Sequence, residues 1–422
     1  MEIKPNKAVS VDAEQIERIA RQLNKELHDF KKNKKPAFDE KEPIFADFFY
    51  QNTDTMRDYP SRIRDGEDRP SLTFEPHELG YTMVPHSGGR HGSPRYTEDG
   101  WYGWYAIDYA KVMADAGEQI ALMIRPYNCP FPYGDEADER GEPESFQLAL
   151  DNLPKLDYVL MDIEGDREMI ELNTREIHRM VREHPDPKFN RARIGNYGYS
   201  AAEYDESIIW PDRRNLRTRH PNHDQTQLYL DCLDISMPNA YPYATASQHL
   251  STYTQGDNVA PNGRAAIFWQ ALERHSTAAR ALPEGHMLMP WVGEYIYNRN
   301  PSYNAPKPSD EDNIALMFHF RMRKARCFYN FAQSFQREYV ELAMKAWKFL
   351  DPLFRLPVEK TFMNLETDKR SGFNWSGVEV AGHKIILFSN LSDREVDIGT
   401  LSIMPGEHKF FAGDKMIDIP EI

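Results

Sequence analysis

In YVLMDIEG, residues 158–165, an apolar run ends in two carboxylates, Asp162 and Glu164, with Ile163 between them. On a strand, residues two apart share a face, so the two acids point one way and Ile163 the other. Carboxylates held that close raise the pKa of one member, which keeps it protonated near neutral pH as a general acid. A second run, MPWVGEY (289–295), ends in Glu294. Two carboxyls about 5 to 5.5 Å apart across a cleft are the machinery of retaining glycoside hydrolysis. Glu164 then protonates the leaving oxygen and Glu294 attacks the anomeric carbon, with Asp162 as the partner that tunes Glu164. Structural roles stay open: Asp162 and Glu164 could cap the helix begun by GDREMIEL or bind an arginine, and Glu294 could pair with Arg321 or Arg323.

Other polar residues stand at the ends of apolar runs and are candidate substrate ligands: Asp47, Arg125, Asn128, Asn196, Tyr199, Asn239 and Tyr241, with Asn330 at a further run end. The loop PHSGGRHGSPRY offers His86 and Arg90, with His91 and Arg95, as charge-assisted contacts to an anionic sugar. Trp291 and the GWYGWY stretch (100–105) are candidate stacking platforms for sugar rings, core packing being the other reading of each. No HxH or HExxH accompanies the histidines, so neither a catalytic metal nor a cofactor is expected.

The elements that must position these residues are short apolar runs separated by helical stretches: 43–50, 79–85, 119–127, 156–164, 192–199, 233–241, 286–295 and 325–332. Strands buried on both faces read as near-continuous apolar runs, and eight of them with intervening helices close a (β/α)8 TIM barrel whose active site lies at the C-terminal strand ends. No GxGxxG turn follows any run, which sets aside the open doubly wound sheet. Residues 12–35 carry Ile16, Ile19, Leu23 and Leu27 at helical spacing, giving an amino-terminal helical extension over 1–40 before a catalytic barrel over 41–357. FRMRKARCF (320–328) reads as the basic face of a barrel helix entering the last strand. From 358 to 422, short alternating runs broken by Gly, Asn, Asp and Pro predict a small antiparallel β domain of sandwich type.

Of 422 residues, 40% are hydrophobic and 28% charged, enough for a sizeable core. A net charge of −15 with no long Lys/Arg tract excludes nucleic acid as a partner. Cys129, Cys232 and Cys327 lie far apart, so they form no disulfide framework and read as buried thiols. No apolar signal core opens the chain and no 18 consecutive apolar residues occur, so no membrane is implied. As written the protein reads as cytoplasmic, or as secreted or periplasmic had a leader been removed.

Glutamates at the ends of strands four and seven, followed by a C-terminal β domain, resemble the large clan of retaining (β/α)8 glycoside hydrolases; Ile163 stands where that clan has Asn. DIE, residues 162–164, is also similar to the DxE strand-four signature of chitinase-like and hyaluronidase-like hydrolases, and PNAYPY (238–243) to their strand-six tyrosine motif. That second resemblance implies Glu164 as acid/base, Asp162 orienting the substrate's own acetamido group as nucleophile, and Tyr241 binding the acetamido oxygen. The substrate in either scheme is an oligo- or polysaccharide. Two other activities remain open at this stage: a barrel that binds glycan without cleaving it, and a metal-assisted hydrolase or isomerase using Asp162, Glu164 and His86 or His91.

Overall fold

The computed structural model describes residues 17–22, 24, 45–50, 83–87, 114–115, 119–126, 129–134, 145–163, 167–197, 232–238, 240, 243–244, 263–280, 282–293, 296–297, 309–332, 337–364, 372–380, 382–398 and 401–413. At 45–50, 83–87, 145, 167, 243–244, 263–264, 266–267, 270, 293, 296–297, 330–332 and 337–341 the backbone alone is described. The expectations for Glu164, Glu294, Arg90, Asn128, Tyr199, Asn239 and Tyr241 fall outside these residues, as does the 100–105 stretch.

Each predicted run contains a strand of one parallel sheet. In chain order these are β1 (Phe45–Tyr50), β2 (Met83–Ser87), β3 (Gln119–Ile124), β4 (Tyr158–Met161), β5 (Arg193–Asn196) and β6 (Ile235–Ser236). After a short β7 (Tyr243–Ala244), the sheet continues with β8 (Met287–Leu288) and β9 (Trp291–Gly293); β10 (Ile296–Tyr297) pairs with β7, and β11 (Cys327–Ala332) completes the parallel set. The order is β8-β6-β5-β4-β3-β2-β1-β11-β9.

Its two end strands, β8 and β9, belong to one stretch of chain. On one side of that stretch the N–H groups of Met287, Met289 and Trp291 donate to the carbonyls of Asp234, Ser236 and Pro238, each at 2.9 Å. On the other, Leu288 and Pro290 accept from Arg326 (3.1 Å) and Tyr329 (2.9 Å). Pro290 has no N–H to return, so the ladder loses a rung and the stretch divides into two short strands.

Alternation sorts the strand side chains into two layers. Met123, Leu160, Met237, Met289 and Tyr329 belong to a cluster made of strand and strand-end residues alone. Their neighbours Ile120, Leu122, Ile124, Val159, Met161 and Ile194 pack on Phe146 of α1 (Ser145–Asn152) and on Ile170, Ile177 and Val181 of α2 (Arg167–Arg182). Both faces are therefore dry, which is why these strands read as unbroken apolar runs.

The single-turn α3 (Pro187–Asn190) leads into β5, α4 (Gly263–Arg280) precedes β8, and α5 (Asp310–Met322) precedes β11. Then come α6 (Arg337–Phe349) and the short α7 (Asp351–Phe354). β12 (Val358–Met363), β13 (Phe373–Val380), β14 (His383–Asn390) and β17 (His408–Gly413) form an antiparallel sheet in that order, and β15 (Val396–Ile398) pairs with β16 (Leu401–Ile403). The β13–β14 hairpin turns at Gly382, whose φ of 78° lies in the left-handed region that only glycine adopts without strain.

Val378, Val380, Ile385, Leu387 and Phe410 of this sheet share one core with Ile314, Leu316, Phe318 and Phe320 of α5 and with Met344 and Trp347 of α6. A chain of buried polar contacts threads the same boundary. Asp312 meets His408 at 3.4 Å, His408 contacts Ser389 at 2.8 Å, Ser389 contacts His319 at 2.8 Å, and His319 contacts Ser376 at 2.6 Å. Arg323 donates to Ser376 (2.6 Å), Asn364 (2.9 Å), the Trp375 carbonyl (2.8 Å) and Ser276. At 2% exposure it is a core residue, so the basic stretch that leads from α5 into β11 buries one of its arginines: a helix C-terminus with acceptors on three facing segments can bury a guanidinium that water would otherwise hold.

The amino-terminal helix packs on the same unit. Ile19 joins the core, and the Asn24 carboxamide both donates to and accepts from the Phe410 backbone at 2.9 Å, covering the edge strand β17. Cys129, Cys232 and Cys327 are in no disulfide, and Cys129 and Cys327 are buried.

Candidate active site at the strand ends

β3 and β4 pair in register from Ala121 with Tyr158 to Ile124 with Met161, and the Asp162 N–H extends the ladder by donating to Ile124 at 2.7 Å. Alternation then puts Asp162 on the face of Tyr158 and Leu160, and Arg125 on the face of Ala121 and Met123. The two side chains meet there, guanidinium to carboxylate at 3.9 Å, with 21% and 18% of their surfaces exposed. Burial pushes the Asp162 carboxyl above the usual range, and the neighbouring Arg125 charge opposes that rise. Asp162 is thus a partly buried, positively accompanied acid at the C-terminal edge of the sheet.

Ile163 points the other way and is fully buried. Its backbone is read on both sides by the buried Asn196 carboxamide: the Ile163 N–H donates to Oδ1 at 3.3 Å, and Nδ2 donates to the Ile163 carbonyl at 3.4 Å. Asn196 therefore sits on the helix-facing side of β5, where it fixes the residue between the two acids. Sequence reasoning marks Asn196 as a substrate ligand because it ends a strand; the phase of the alternation, read from Tyr197 inward, shows the other face. We expect Asn196→Ala to lower the unfolding free energy by about 1–3 kcal/mol, the cost of two buried backbone groups losing their partner. Denaturant titration checks this, and Asn196→Asp should recover less than half of the loss because only one of the two contacts survives.

Trp291 is 1% exposed, with Tyr329 stacked on it at 4.1 Å and Tyr197 tilted against it at 4.3 Å. Its ring fills the strand-lined core rather than presenting a platform. Asp47 stands beside Tyr329 and Met83 in register, His86 beside Leu122, and Asn330 beside Phe48 and Val292. Arg321 pairs with Asp351 at 2.7 Å and lies over the rings of Trp347 and Phe354. With Arg323 held in the polar chain, both arginines that could have neutralised Glu294 have other partners. Among the described residues no group of three or more His, Cys, Asp or Glu could hold a metal ion. Nor is any helix among them long and apolar enough to cross a membrane.

No protein-family model and no curated protein matches the chain. Solved structures similar to it include a family 5 glycoside hydrolase from Bacteroides vulgatus (12% identity, 88% of this chain and 87% of the other, TM-score 0.44). A family 39 glycoside hydrolase from Bacteroides cellulosilyticus follows at 11% identity, 76% and 67% coverage and TM-score 0.39. A malate synthase from Haloferax volcanii stands beside them at 10%, 79% and 82%, and 0.38.

Proposed function

We propose that the parallel sheet closes as an eight-stranded (β/α)8 barrel and that its C-terminal mouth is the active site of a retaining glycoside hydrolase. Closure is supported by the 287–293 stretch, which hydrogen-bonds to β6 on one side and to β11 on the other. The observation that carries the activity is the Arg125–Asp162 pair on the strand-lined face, one residue from a buried carboxamide clamp and two from Glu164. An acid so placed, with its counterion, sets the electrostatics of a neighbouring proton donor.

In this reading Glu164 gives its proton to the glycosidic oxygen as the bond to the anomeric carbon breaks. Glu294 attacks that carbon from the face opposite the departing oxygen to form a glycosyl-enzyme, and water, deprotonated by Glu164 on the leaving-group side, then displaces it. Where the substrate carries a 2-acetamido group, its oxygen replaces Glu294 and Asp162 orients it. Stereochemistry tests the proposal: proton NMR of the first sugar released should show the anomeric configuration of the substrate. Release of the opposite anomer, or no cleavage of any of a broad panel of 4-nitrophenyl glycosides and oligosaccharides, would sink it.

A further inference from the structure

We infer that Phe131 is a carbohydrate-stacking residue on the rim of this mouth, receiving the apolar C–H face of an uncharged pyranose unit beside the cleaved bond. The assignment rests on the hydrolase reading. Phe131 is 40% exposed, one of three large hydrophobic side chains so exposed among the described residues. Its loop leaves β3 directly after Arg125 and closes on itself where the Tyr133 N–H donates to the Pro126 carbonyl at 3.1 Å. It therefore lies at the same end of the sheet as Asp162.

The loop is built to hold that ring still. The Phe131 N–H donates to Asn173 Oδ1 at 2.8 Å, Asn173 Nδ2 donates back to the Phe131 carbonyl at 2.9 Å, and the Cys129 thiol donates to the same carbonyl at 3.1 Å. Asn173 and Cys129 are fully buried, and burial pushes the thiol up to about 12, so the sulfur stays protonated as a donor. Pro130 and Pro132 flank the phenylalanine and restrict its backbone further.

Two buried polar side chains thus fix the backbone of a residue whose ring faces water, an arrangement that adds nothing to burial of that ring. What it provides is pre-organisation: the aromatic face is in place before a ligand arrives, so no ordering entropy is lost on binding. The segment PYNCPFPYG, 126–134, carries no charged residue, which suits a neutral polyhydroxyl ligand whose C–H edges meet the negative face of the ring.

The test is calorimetric titration of the full chain carrying Glu164→Gln, so that ligand is not consumed, with cellohexaose, xylohexaose, mannohexaose and chitohexaose. At least one hexasaccharide should bind, Phe131→Ala should weaken it about tenfold, and Phe131→Trp should stay within about threefold of the parent. Phe131→Ala binding within about twofold of the parent, or altering only the sedimentation coefficient of the free protein, overturns the assignment while leaving the hydrolase reading intact. If no oligosaccharide binds the parent, the hydrolase reading itself fails and this assignment with it.

Discussion

Glu164→Gln should lower turnover of an oligosaccharide by roughly 10³-fold, because a general acid contributes about 10² to 10⁴ and the glutamine cannot give a proton. The pH profile carries the finer information. If the proposed mechanism holds, the parent's basic limb should report loss of the Glu164 proton and its acidic limb protonation of the attacking or assisting carboxylate. The substitution should remove the basic limb and leave the acidic one. Arg125→Ala gives the complementary result: with the guanidinium gone, nothing opposes the rise that burial imposes on Asp162, so in the acetamide-assisted scheme the acidic limb should move to higher pH. Rate measurements from pH 4 to 9 on both variants check this, and a Glu164→Gln profile with its basic limb unchanged would remove Glu164 from the role.

The second large effect falls on stability. Arg323→Ala should cost about 3–5 kcal/mol, since it opens a cavity and strips partners from Ser376, Asn364 and the Trp375 carbonyl together. The same boundary holds two histidines that stay neutral. Burial and the Arg323 charge push His275 down to about 3, and hold His319 well below its usual value with further push from His408 and His275. A base whose folded pKa is depressed binds fewer protons folded than unfolded. Its contribution is therefore intact above pH 6.5 and is lost as pH falls from there toward the folded pKa, at up to about 1.4 kcal/mol per pH unit for each histidine. Urea unfolding at pH 7 and pH 5 should show that loss, and His319→Gln should flatten the slope. One cooperative transition is expected for both sheets, because α5 belongs to the core of each; two resolved transitions would contradict this.

The strands were legible because a doubly buried parallel strand leaves a plain mark: QIALMI, YVLM and the 325–332 run need no periodicity to be seen. The helix over Arg167–Arg182 was legible for the opposite reason, a clean apolar stripe on a charged cylinder. What sequence could not give was the second partner of each polar residue. Asn196 and Asn173 look like any strand-end or helix asparagine, yet each clasps a backbone in a distant segment. Arg323 sits in a basic tract and ends up dry because Ser276, Asn364 and Ser376, far apart in the chain, converge on it. Trp291 has the composition of a sugar platform and the surroundings of a core residue; only the Tyr197 and Tyr329 rings on either side decide between them.

Phe45 to Tyr50 pair with Cys327 to Ala332, and Asn24 closes on Phe410. During translation, then, the first strand leaves the ribosome long before its neighbour exists, and it must wait with one hydrogen-bonding edge open while most of the polypeptide is made. Nascent chains halted anywhere before residue 327 hold that unpaired edge, and those halted before 408 lack the strand that Asn24 caps. Synthesis of this protein should accordingly draw on holding chaperones, and prematurely terminated products should be cleared by proteases or precipitate rather than persist as smaller folded species.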